Sequence, residues 1–474
     1  MKSLLCLLVF AAFAAFAQAS APSASADKPL FAFGVIGDGK ADDTAAIQKA
    51  VDSGAGTLHF PRGSYRLTRS VIVDLDKTGF TALVGDGTAR IVMAGEGPAF
   101  KFIGTHDKTA EPKDFKANVW DRQRMPMVDG LEFVGAHPEA DGIAASGTMQ
   151  LTITRTTVRD ARHAVHLTVR NRNVIVSDCH FYHNTGIGVF YDNVDLHQSN
   201  ITGCHISYCA GGGVVSRAGS VFNIQIGSCD IESNMTPDGQ PGANVLLDCT
   251  GGSVAEVEIT GCTIQHNSKS PGSANIRYIG RSKEIHKPAD IEKCKSGQIS
   301  ITGNVLSDVR VNIHLQHARG VVITGNSFFM GYERDLVVED SNSVVIGANL
   351  FDRNPRYDYS DIPTSNGGLV FTRSHDCTLH GLSISGVWRH SAAVLLEQCS
   401  GFNIANCSIF DCDGPGLLLK DVRDSLITGC LIRDRRPDRA PAPSVRIEGG
   451  GDNEHANNKL AHGTETTPAP LKKQ

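Results

Sequence analysis

The chain has 474 residues, enough for about three ordinary domains, with a formal net charge of -5 and 41 % hydrophobic, 20 % charged and 6 % aromatic residues. That hydrophobic share excludes a disordered chain, and a balance this close to neutral, with no acidic or basic tail, gives no reason to expect nucleic acid as a partner. Its 49 glycines exceed the usual share of about 7 % and point away from an ordinary mixed domain.

At the amino terminus Lys2 precedes an apolar run from Leu4 to Phe16, and the small-residue site Ala17-Gln18-Ala19 comes next. Residues 1–19 therefore read as a cleaved signal peptide and 20–32 as a linker, which predicts a secreted or periplasmic protein. The run is too short to span a bilayer, so no membrane span is expected. Cys6 would leave with the signal peptide, and the twelve remaining cysteines would lie in a compartment that permits disulfides. None of them shows the CxxC spacing of a metal knuckle.

Next comes FGVIGDGKADDTAAIQKA over 33–50, then GTLHFPRGSY over 56–65. Asp42, Asp43 and Thr44 offer capping oxygens ahead of Ala45 to Val51, so a short helix at 42–52 is expected to cover the open end of a stack of strands. Asp42 and Asp43 are read as caps and not as catalysts. Residues 33–100 would hold this cap and the first rungs of the stack.

From there on one phrase recurs: a β-branched pair, a small residue, then Cys or Asn. It appears ten times, with fourth positions at Cys179, Cys204, Cys229, Cys262, Asn304, Asn326, Asn349, Cys407 and Cys430, and with Leu382 in place of Cys or Asn in the remaining copy. Most intervals are 22 to 25 residues, and weaker copies reach back to Ile153 and Val128. Short alternating segments such as Gly186 to Phe190 lie between the phrases, with almost no helical period. Three strands per repeat, stacked about 4.8 Å apart, make one rung of a parallel β-helix, and each rung buries its apolar face against its neighbours. The fourth position should point inward at a tight turn. There Asn304, Asn326 and Asn349 would form an amide ladder, while Cys179, Cys204, Cys229 and Cys262 would form a column of buried thiols or of disulfide pairs. Longer turns are expected at 267–273, 280–297 and 352–366, with interruptions at 105–127 and 433–443.

The opening segment resembles the start of the rhamnogalacturonase and epimerase-like pectate lyase domain family, and the repeats behind it are similar to the pectin-lyase-like superfamily over 33–460. The resemblance implies an all-β, single-stranded, right-handed parallel β-helix, here of about twelve rungs with its short N-terminal capping helix, then a flexible tail at 461–474. It also implies secretion and action on polysaccharide. Polygalacturonase-like hydrolases of this fold carry Asn-Thr-Asp and Gly-His-Gly motifs, whereas here Asn184-Thr185 runs into Gly186 and no Gly-His-Gly occurs.

In this fold the strand preceding each phrase floors the sugar groove. With Ile187, Val214, Val245, Ile276, Ile313, Leu336 and Leu369 inward, alternation predicts two outward columns. One contains His166, Gly188, Val215, Leu246, Arg277 and His314, and the other Thr168, Phe190, Arg217, Asp248, Ile279, Gln316 and Glu339. Asp192 is placed at the adjoining turn, and Tyr357 and Tyr359 on the 352–366 turn are available to stack on sugar rings. His163 and His166 are expected to point to opposite sides, which speaks against a shared metal.

Ionisable groups gathered in a cleft mark a candidate catalytic site. Elimination at a uronate needs a cation for the carboxylate and a base for the adjacent proton, roles that suit Arg217, Arg277 and His314. A glycoside hydrolase instead needs paired carboxyls. Asp248 and Glu339, about 14 Å apart at the strand spacing, are too distant, and Asp192 with Asp248 at about 10 Å is the better pair. Asp248 could also be a calcium ligand or hold the arginines, and no other cofactor is expected. The resulting expectation is a monomeric polysaccharide lyase acting on an acidic polymer through His314, Arg277 and Asp248, with Arg217, Gln316, Glu339, Asp192, Phe190, Tyr357 and Tyr359 binding substrate. A glycoside hydrolase and a non-catalytic surface or adhesion β-helix are the alternatives.

Overall fold

A computed structural model describes residues 29–467 apart from 109, 110, 238, 240, 241, 282–289 and 291. The expected signal peptide at 1–19, the linker as far as residue 28 and the end of the tail at 468–474 lie outside the described residues. The chain coils as a right-handed parallel β-helix. Each turn lays one strand on each of three ladders. The first ladder runs in register from Val71–Asp74 to Thr464–Thr467. The second carries the repeated phrase from Thr152–Thr154 to Glu454–Ala456, and the third ends at Lys459–Leu460. Because Thr464–Thr467 pairs with Val445–Glu448, the coil continues past 460, where the sequence predicts a flexible tail. Among the described residues no helix is long and apolar enough to cross a membrane.

Period-two alternation explains the core. Inward positions such as Ile226, Ile259, Ile301 and Ile323 stack directly on one another along the second ladder and are fully buried. The fourth position of each phrase turns inward as expected. Asn304 Nδ2 donates to Asn326 Oδ1 and Asn326 Nδ2 to Asn349 Oδ1, each at 3.0 Å, while the same amide oxygens accept the backbone N–H of the rung before. A buried amide is thereby satisfied on both sides, as a polar group in a core requires. Cys179, Cys204, Cys229 and Cys262 continue that column as buried thiols, and no disulfide occurs among the described residues.

The open end is closed by the helix Thr44–Asp52, which buries Ile47, Ala50 and Val51. Its two aspartates divide the work. Asp42 Oδ1 accepts the Thr44 N–H at 3.1 Å, as a cap does. Asp43, expected to be a second cap, instead turns back and accepts from the N–H groups of Ile36 and Gly37 at 2.7 and 3.0 Å, holding the glycine-rich loop to the helix.

Candidate functional site

The outer face of the first ladder carries the predicted columns, with one rung corrected. His166 pairs with Phe190 and Phe190 with Val215, so Phe190 belongs to the first outward column and Gly188 does not. Asp192 pairs with Thr168 and Arg217 and stands in the second column, on the strand and not at a turn. The cause is local. A Cβ at Gly188 would lie 2.6 Å from Gly213 O and 2.6 Å from Ile206 Cγ2, so this residue faces inward at a close corner. The strand therefore enters the register two residues later than the alternation suggests. Ile187, expected inward, packs outside with Phe190, Val215, Ala243, Leu246 and Ala274, and this apolar patch forms the middle of the floor.

Beyond the patch lie Arg277 and His314, in-register neighbours about 4.8 Å apart along the ladder. His314 Nε2 lies 2.8 Å from Glu339 Oε2, and since a carboxylate can only accept, Nε2 carries the proton and Nδ1 the lone pair. Burial lowers the His314 pKa, the Glu339 hydrogen bond opposes this, and the Arg277 charge adds to the lowering. Arg277 donates through Nη2 to the carbonyl of Gly272, while its Nε is buried without a hydrogen-bond partner. It forms no ion pair with a carboxylate among the described residues, and burial lowers its pKa. A guanidinium half sunk in the floor and lacking a counterion is costly unless an anion completes it.

The second column runs Asp192, Arg217, Asp248, Ile279, Gln316, Glu339. Arg217 is exposed between two aspartates, and Asp248 accepts the Thr250 N–H at 2.9 Å. No cluster of three or more His, Cys, Asp or Glu side chains able to share a metal ion occurs among the described residues, and the in-register neighbours of Asp248 are Arg217 and Ile279. This donor set does not fit calcium.

Residues 266–273 and 352–368 lead from the third ladder into the first along one edge of the floor, and the strand Ala274–Ile279 ends at the other. The first of these turns meets the floor where Arg277 reaches Gly272. Tyr357 and Tyr359 lie on the 352–368 wall, 40 % and 59 % exposed with ring centroids 6.5 Å apart, and not on the floor. Asp361 of that wall accepts from Tyr332 Oη at 3.3 Å, which ties it to the Glu339 strand.

Around His166 and Asp192 lies a second ionisable group, whose other members Asp141 and Arg162 the sequence pattern did not bring out. Asp141, 2 % exposed, accepts from Arg162 Nε and Nη2 at 2.9 and 2.8 Å, and His166 Nε2 meets Asp192 Oδ2 at 2.9 Å. Burial would raise the Asp141 pKa, but Arg162 and His166 hold it well below the usual carboxylate range. Burial also works against charge on His166, yet the Asp141 carboxylate 3.9 Å away and the hydrogen bond to Asp192 win and raise its pKa. His163 and His166 do not point apart: their rings lie 5.2 Å from each other and both pack on Phe190. His163 sits at the corner ahead of strand Val165–Ser177, where alternation no longer applies. The available signal was Asp141, one repeat before Arg162-His163.

Residues 128–264 and 357–466 match the family described as Right handed beta helix region, and residues 31–124 match the one described as Rhamnogalacturonase A/epimerase, pectate lyase-like. Among curated proteins, 69 residues are 42 % identical to alginate lyase 7 of Azotobacter vinelandii, covering 14 % of this chain and 8 % of that protein. A 40-residue stretch is 52 % identical to mannuronan C5-epimerase AlgE3 of the same organism, covering 8 % and 2 %. The chain thus spans less than a tenth of the length of these relatives. Among solved structures, gene product 12 of bacteriophage phi29 aligns with a TM-score of 0.54 at 14 % identity over 90 % of this chain and 55 % of that one, a likeness of fold.

Proposed function

This chain belongs to the right-handed β-helix family, and we propose that it is a carbohydrate-active enzyme that binds an acidic polysaccharide along the first ladder and cleaves it by β-elimination. The observation that carries this reading is Arg277, without a carboxylate partner among the described residues, beside a His314 whose free Nδ1 is fixed by Glu339. A uronate carboxylate against Arg277 would complete the guanidinium and acidify the proton on the adjoining ring carbon. His314 Nδ1 takes that proton, the C–H electron pair forms the ring double bond, the glycosidic C–O bond breaks, and the departing oxygen is protonated from water. Glu339 holds the imidazole in the tautomer this step needs. Arg217 and Gln316, in the same outward column, bind the neighbouring sugars. The names of the two short-stretch relatives, an alginate lyase and a mannuronan epimerase, support a uronate polymer as substrate.

A hydrolase of the same groove is the second reading, favoured by Asp192 and Asp248 on either side of Arg217, about 10 Å apart across two strand spacings. Incubation with a panel of uronic-acid and neutral polysaccharides separates the two. Unsaturated products read by ultraviolet absorbance together with new reducing ends support elimination, and reducing ends without unsaturation favour hydrolysis. Neither signal leaves a binding or adhesion protein.

A further inference from the structure

We propose a second carbohydrate site, for a neutral oligosaccharide, on the outer face of the second ladder. Thr152, Ile175, Asn200 and Gln225 stand in register there, in a column facing out. Beside them Gln150, Asn173, Gln198 and Asn223 repeat at the same spacing, and the two columns with Met125 line an open hollow of about 350 Å³. No lining side chain is ionisable. A uronate carboxylate would have to shed its water here with no cation to meet it, whereas a neutral sugar meets no such cost.

The amides are also only partly used. Asn200 Nδ2 donates to Gln225 Oε1 at 2.6 Å, which leaves the Asn200 carbonyl and the Gln225 amino group without protein partners among the described residues. The Gln198 amide has none, and Gln150 Oε1 and Asn173 Oδ1 are buried and unpartnered. Gln198 offers donor and acceptor side by side, and the Asn200 carbonyl and the Gln225 amino group offer one of each on neighbouring strands, which is the pattern vicinal sugar hydroxyls complement. Ile175 and Met125, 42 % and 62 % exposed, supply apolar surface for the C–H face of a pyranose. The run is local: farther along the same column the residues are Glu258, Ser300, Val322 and Val345.

The test is native affinity electrophoresis of the full chain in gels containing a soluble β-glucan, a galactomannan, soluble starch or a polyuronate. At least one neutral polymer should retard the wild type. The double variant Asn200→Ala/Gln225→Ala should bind it about tenfold more weakly, and Ile175→Glu should abolish retardation, while polyuronate binding stays unchanged in both. His314→Ala should keep the neutral retardation whatever becomes of its turnover, so this site and the proposed reaction fail independently. No retardation by any neutral polymer overturns the proposal. So does retardation that both variants retain, or retardation by polyuronate alone that both variants lose.

Discussion

Burial and Glu339 pull the His314 imidazole in opposite directions, and burial prevails, so its pKa lies below the ordinary imidazole range. If neutral His314 is the base, the acidic limb of the rate profile follows its pKa. Glu339→Gln removes the influence that raises this pKa, so the limb should move to lower pH, read from kcat/KM across pH; a limb that moves upward contradicts the assignment. His163 gives a separate test through stability. Burial lowers its pKa to about 4, and its Nδ1 accepts the Ile187 N–H, which protonation would break. The unfolded imidazole titrates near 6.5, so this contribution is complete above about 6.5 and is lost as pH falls toward 4. His163→Gln should flatten the decline of Tm over that window. His166, with its raised pKa, has the opposite sign: its contribution is complete below its unfolded pKa and lost as pH rises through the folded one. At this scale alternation was enough to place Arg277, His314 and Glu339 on the outer face, because each lies in an in-register stretch of its strand. It failed for His163, at a corner, and for Asp192, whose strand enters register late because Gly188 fills a space with no room for a side chain.

Among the elements, the inward column at the phrase turn separates two ways of filling one position. Asn326 is 2 % exposed and joins Asn304 to Asn349, so truncating it strands amide groups on both sides. Cys204 fills the same position as a small buried thiol whose contacts are weak. Asn326→Ala should cost about 2–3 kcal/mol and Cys204→Ala about 1 kcal/mol in denaturant unfolding. Equal costs would mean that the amide ladder adds nothing beyond volume. The repeated phrase was legible because its small residue and its Cys or Asn answer to a single tight turn. The long turns were legible only as insertions, since the edge on which each emerges depends on the rung's path through space. The tail was misjudged because Thr464–Thr467 is polar and its strand character comes from pairing with Val445–Glu448.

Over the whole molecule, a stack of rungs has two ends, and an uncovered end presents unpaired strand edges to other chains. The helix Thr44–Asp52 covers one of them with Ile47 and Val51. Replacing Ile47 with Asp should therefore raise aggregation on mild heating, measured by light scattering, more than the same change at exposed Ile36. The same stacking sets Arg277, His314 and Glu339 on consecutive strands of the first ladder. In the proposed reaction this constellation eliminates across a uronate linkage. The most direct test is the initial rate of unsaturated-product formation from a polyuronate by the wild type, Arg277→Ala and His314→Ala. A wild-type signal is expected that falls about 10²–10⁴-fold in His314→Ala and about 10²–10³-fold in Arg277→Ala. Full turnover in both variants would place the chemistry elsewhere on the molecule.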